Sequence, residues 1–128
     1  MDNIKIISNS NIPTSHLPFS PAIQAGNFIF FSGQASVDME GNIVSGTFEE
    51  ECRRTFENLK LVLHAAGVGF ADVVQVRSYV GKQEYLPEFN KIYKEYLSEP
   101  YPARTTITGC LGELLKFEVD AIAYVKSK

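Results

Sequence analysis

The run Phe117-Glu118-Val119-Asp120-Ala121-Ile122-Ala123-Tyr124-Val125 constrains the fold more than any other stretch, because its side chains sort onto two unlike faces with a period of two. Phe117, Val119, Ala121, Ala123 and Val125 make one face that is apolar throughout and suits contact with helices. Glu118, Asp120, Ile122 and Tyr124 make the other, of mixed character. A chain of 128 residues is long enough for one hydrophobic core but not for two, so residues 1–128 are expected to form one domain. Such a chain has no third layer with which to cover the mixed face. Burial against other copies of itself is the simplest solution.

The rest of the sheet and its helices follow from periodicity and punctuation. Thr47 followed by Glu50 is a capping box, and Phe48, Cys52, Phe56, Leu59, Val62 and Ala66 recur at spacings of three or four until Gly67, which predicts a helix. Val73 to Val80 is rich in β-branched residues and follows Gly67-Val68-Gly69, so it reads as a strand. A second helix is expected from about Leu86 to Leu97, with Pro87 in its first turn and Phe89, Ile92, Tyr93 and Tyr96 on its buried side. Pro100 and Pro102 end it, and Ala103 to Gly109 then forms a strand ahead of the Phe117 run.

Toward the N-terminus, Ile4 and Ile6 mark a short strand, and Ser8 to Pro21 reads as a long irregular arm. Phe28 to Phe31 is a compact apolar strand ended by Ser32-Gly33. Turn chemistry at Met39-Glu40-Gly41-Asn42 predicts a partner strand at Ile43-Val44. The order β-β-β-α-β-α-β-β describes an α+β domain, a single sheet with two helices on one face.

Charge and cysteine content exclude several functions. Twelve Lys and Arg against fifteen Asp and Glu leave a formal charge of -3, so no cationic field exists for nucleic acid, and Arg53-Arg54 reads as a solvated helix face. No signal sequence or apolar membrane span is evident, which predicts a cytoplasmic protein without a membrane partner. Cys52 and Cys110 lack metal-ligand spacing and are expected as reduced thiols, Cys110 as a buried structural one. His16 and His64 fall in no metal pattern. Neither a P-loop, a dinucleotide fingerprint nor a Gly-x-Ser-x-Gly elbow is present.

Two residues are candidates for chemistry. Arg104 opens a strand otherwise made of Thr, Ile and Gly, and its planar fork matches a carboxylate at two points, so a small 2-oxo or 2-imino acid is a natural ligand. The alternative is an edge-strand arginine held in a structural salt bridge. Glu118 lies on the face away from the helices. There it is either a solvated carboxylate or, once an assembly desolvates it, a group able to orient or deprotonate water.

Pro102-Ala103-Arg104-Thr105-Thr106-Ile107-Thr108-Gly109 followed by Phe117-Glu118-Val119 resembles the C-terminal signature of the Rid family, also called the YjgF family. Pro18-Phe19-Ser20-Pro21-Ala22, Phe31-Ser32-Gly33-Gln34 and Phe89-Asn90 with Tyr93 resemble that family's arm, strand end and helix motif. The resemblance implies a chorismate-mutase-like fold and a homotrimer with clefts between subunits. It also implies cofactor-free hydrolysis of 2-aminoacrylate, 2-iminopropanoate and 2-iminobutanoate to 2-oxo acids and ammonia. Arg104 would then clamp the substrate carboxylate and Glu118 would handle the water, with Phe19, Ser32, Gly33, Asn90 and Thr106 lining the site and no metal taking part. Two positions depart from the family pattern: Phe19 stands where many deaminating members have Tyr, and Thr106 where many have Cys. A non-catalytic trimer that senses small carboxylic acids, and a translation-inhibiting ribonuclease, are the alternative readings.

Overall fold

The computed structural model describes residues 4–9 and 11–126. In it α1 spans Phe48–Ala65 and begins where its cap requires: Thr47 Oγ1 accepts from the Glu50 amide at 3.1 Å, and Glu50 Oε1 accepts from the Thr47 amide at 2.8 Å. Past its end, Gly67 takes a φ of 81°, in the left-handed region that glycine enters without a Cβ penalty. The second helix, α2, runs from Leu86 to Tyr96 with proline in its first turn. Phe89, Ile92 and Tyr93 are its buried residues.

Six strands make one sheet: β1 Ile4–Ile7, β2 Ala22–Ala25, β3 Phe28–Ala35, β4 Val73–Val80, β5 Ala103–Thr108 and β6 Phe117–Tyr124, in the spatial order β1-β2-β3-β6-β4-β5. All neighbours are antiparallel except β4 and β5, which run parallel because α2 carries the chain back between them. The order β-β-β-α-β-α-β-β is the expected one, but Ile43-Val44, expected as the third strand, is not one of the three. Ile43 forms only an isolated bridge with Val37, because Ser36 Oγ donates to Val44 O and the chain then leaves to cap α1. Its place is taken by Ala22–Ala25, which pairs with Phe28–Phe31 across Gly26-Asn27. Gly26 has a φ of 61°, at the first turn position where such hairpins take glycine.

Strand register decides which residues share a face. Val76 sits opposite both Arg104 and Ala121, whereas Arg77 sits opposite Thr105 and Asp120, and Tyr79 opposite Ile107 and Glu118. Side chains paired in this way point to the same side of the sheet. Arg104 and Thr106 therefore belong to the helix-covered face and Glu118 and Asp120 to the open one. The covered face is packed around Phe56, Phe89 and Phe117, all fully buried, with Phe117 ring centroids 5.4 Å from Phe56 and 5.3 Å from Phe89. The open face exposes Phe28, Phe30, Ile107 and Tyr124.

Two polar side chains of α1 fix the strand ends next to Glu118. Glu51, only 1% exposed, accepts hydrogen bonds from the Gly46 amide, the Lys116 amide and Lys116 Nζ at 3.0 to 3.1 Å, so all its partners sit at the entrance to α1 or β6. Asn58 Nδ2 donates to Ala35 O at 2.9 Å and Val37 O at 3.0 Å and holds the end of β3. Arg53 is not simply solvated: it bridges Glu49 of its own helix and Glu95 of α2. Such exposed pairs add little stability but fix the helix pair in register.

Candidate active site

One part of the site is built on the open face around a bulge. Pairing between β3 and β6 shifts register between Phe31 and Gln34, which sets the two residues Ser32 and Gly33 against the single Asp120. Ser32 ties this bulge to the N-terminal arm, its hydroxyl donating to Ser20 O at 2.5 Å and its amide to Pro21 O at 3.0 Å. Gly33 then lies directly against Glu118. A Cβ at Gly33 would come within 2.5 Å of Glu118 Oε2, so this position must stay without a side chain for the carboxylate to keep its place.

Glu118 is half-buried, and burial followed by the nearby Asp120 charge raises its pKa above the ordinary 4.5. None of the ion pairs among the described residues engages it. Asp120, by contrast, is committed: Arg77 Nε and the Tyr79 hydroxyl both donate to it at 2.9 Å. The open-face carboxylate without a cationic partner is thus Glu118, at the edge of a cavity of about 790 Å³ that Phe19, Ser32 and Gly33 also line.

The second part is on the covered face, at the end of α2. Arg104 lays its guanidinium over two rings, 5.0 Å from the Phe89 centroid and 4.8 Å from the Tyr93 centroid. Rings beneath a guanidinium attract it and restrict its tilt, while its donors stay free for a ligand. Arg104 belongs to none of the ion pairs among the described residues, so the structural salt bridge considered from sequence is not formed. Arg104, Asn90, Tyr93 and Tyr101 line a smaller cavity of about 230 Å³.

Every candidate residue from the sequence is described by the structure, but they divide. Phe19, Ser32, Gly33 and Glu118 share the larger cleft, and Arg104 and Asn90 share the smaller. Thr106 is half-buried on the Arg104 face and lines neither. Cys110, expected buried, is exposed, because β5 stops at Thr108 and Gly109, at a φ of 79°, turns the chain outward. Cys52 is the buried thiol, and burial raises its pKa, which makes it a poor nucleophile.

The aromatic platform under Arg104 escaped sequence reading, although its signal was present: Phe89 and Tyr93 are four apart on one helix face. Among the described residues no cluster of three His, Cys, Asp or Glu suits a metal ion, and no helix is long and apolar enough to cross a membrane.

Residues 9–125 match the family model described as Endoribonuclease L-PSP. The chain is similar to a RutC family protein of Pyrococcus horikoshii, 37% identical over 122 residues that span 94% of this chain and 97% of that one. It is also similar to the human 2-iminobutanoate/2-iminopropanoate deaminase, 31% identical over 121 residues, 93% of this chain and 88% of that one. Among solved structures, RidA from an Antarctic Psychrobacter superposes with a TM-score of 0.85 at 28% identity, covering 94% of this chain and 99% of the other. Yeast Mmf1 gives 0.88 at 25% identity, covering 96% and 99%.

Proposed function

The chain belongs to the endoribonuclease L-PSP family, the Rid or YjgF family, and from that premise we propose that it hydrolyses 2-imino acids to 2-oxo acids and ammonia in a site shared between copies of itself. One observation carries this reading: Arg104 and Glu118 are a cation and a carboxylate without ion-pair partners among the described residues, displayed on opposite faces of one sheet. A single chain cannot bring them to one substrate. A neighbouring copy can, if its Arg104 edge packs beside the Glu118 cleft, and the exposed Phe28, Phe30, Ile107 and Tyr124 give the open face an apolar surface to bury in doing so. A closed ring of three satisfies this with one repeated contact.

In such a site the Arg104 fork holds the substrate carboxylate at two points. Glu118 accepts a proton from water as its oxygen adds to the imine carbon; the C–N bond then breaks, ammonia leaves with the protons and the 2-oxo acid remains. An iminium is already electrophilic, so orientation and water activation suffice, and no cofactor is required. Gly33 leaves room for the carboxylate, Ser32 holds the arm that carries Phe19, and Asn90 and Thr106 stand beside Arg104. The overall charge of -3 and the commitment of Arg53 to Glu49 and Glu95 give no support to ribonuclease action.

A second reading, a trimer that binds small carboxylic acids without turnover, is favoured by Phe19, which brings no hydroxyl to the cleft. A coupled assay separates the two. With a dehydratase supplying 2-iminobutanoate, added protein should speed ammonia release in proportion to its concentration, and light scattering at micromolar concentration should give three times the chain mass. Tight 2-oxo acid binding without faster ammonia release would select the binder; a single-chain mass would remove the shared site.

A further inference from the structure

The cleft beside Glu118 is much larger than a three-carbon substrate needs. Its volume of about 790 Å³ lies in the range that holds drug-sized ligands. Among the described residues that line it, Glu118 is the one that is charged, and Ile12, Leu17, Phe19, Val37 and Ile43 supply apolar wall. Leu17, Phe19 and Ile43 are 67%, 50% and 44% exposed. Single exposed apolar residues are ordinary on a protein surface, but three around one concavity are not.

The walls are also fixed before any ligand arrives. The Thr14 amide donates to Met39 O at 3.0 Å and the Thr14 hydroxyl to the same oxygen at 3.2 Å, which fastens the arm to the loop bearing Ile43. Gly41, at a φ of 88°, lies where a Cβ would collide with Thr14 O, so the two segments approach closely only because that residue has no side chain. At its other end the arm is fastened by Ser32 to Ser20 and Pro21. The trough is a built feature of the fold, with Glu118 and Gly33 among the residues that line it.

We propose that this trough receives the side chain of the substrate, so that the preferred substrates are 2-imino acids with branched or extended apolar side chains and not the three- and four-carbon members. The inference rests on the imine-hydrolysis reading and adds specificity to it. The reaction is unchanged: water adds to the C=N carbon, the C–N bond breaks, and one 2-oxo acid and one ammonium ion leave. Each extra methylene buried against the trough contributes about fourfold to kcat/KM. The leucine-derived imine, 2-imino-4-methylpentanoate, has three more carbons than 2-iminopropanoate, and its kcat/KM should exceed that of the smaller imine at least tenfold.

The test generates both imines in place with an amino-acid oxidase acting on leucine or alanine and follows the loss of semicarbazide-trappable imine. Leu17→Ser should cut the ratio of the two kcat/KM values about fivefold, and because both rates come from one preparation the ratio is independent of how much protein is folded. A ratio of one or below, with 2-iminopropanoate turned over, overturns the trough assignment and leaves imine hydrolysis standing. If neither imine is hydrolysed, the reaction itself fails and the trough is judged by calorimetry on the products. At least tenfold tighter binding of 4-methyl-2-oxopentanoate than of pyruvate supports it, and equal affinities overturn it.

Discussion

Arg104→Lys should lose between about thirtyfold and several thousandfold of imine hydrolysis, because losing the two-point clamp on a desolvated carboxylate is expected to cost roughly 2 to 5 kcal/mol, the scale of disrupting a buried, hydrogen-bonded charge pair. The substitution keeps the positive charge and still offers a cation to the Phe89 and Tyr93 rings, 5.0 and 4.8 Å from the native guanidinium. What it loses is the planar fork, since an ammonium is a point charge that cannot make two parallel bonds to one carboxylate. Arg104 is exposed and lies outside the buried core, so the melting temperature and the oligomeric mass should stay within a few degrees and a few per cent of wild type. Near wild-type turnover in steady-state ammonia release would take Arg104 out of the site.

Glu118→Gln is the second large effect, and it should divide differently between rate and binding. The amide fills the space that Gly33 leaves but cannot accept a proton from water, so kcat should fall about 100-fold or more while 2-oxo acid affinity changes little. The pH profile supplies an independent readout. The wild-type carboxyl titrates above its ordinary 4.5, raised by burial and then by Asp120, and only its charged form acts as base. Activity should therefore decline as pH falls through that raised value, at a higher pH than an unperturbed glutamate would give. The Gln variant should lose this acid limb. Equal losses in kcat and in product affinity, with the limb retained, would assign Glu118 a structural part.

Local signals in the chain were enough for most of the fold. The Thr47 and Glu50 pair placed the start of α1, the period-two run from Phe117 assigned its faces, and Val73–Val80 came out as written. β2 was hidden because Ala-Ile-Gln-Ala has little strand character of its own and follows the proline-containing arm; pairing across Gly26-Asn27 makes it a strand. Glu51 at the first turn of a helix is expected in water, favoured by the helix dipole. Its burial depends on Lys116, sixty-five positions away, which no window around α1 contains. Arg104 and Glu118 could be picked out by type and setting. Their placement on opposite faces could not, because it depends on the joint register of β5, β4 and β6, a property of three separated segments.

That opposition has a genetic consequence. If each working site takes its arginine from one chain and its glutamate from the next, a chain carrying Arg104→Lys and a chain carrying Glu118→Gln are each inactive alone yet hold complementary halves. Mixed assemblies of the two would rebuild intact sites at about one interface in four by random association. Two defective alleles would thus restore part of each other's loss in the same cell, something that a site contained within one chain does not permit.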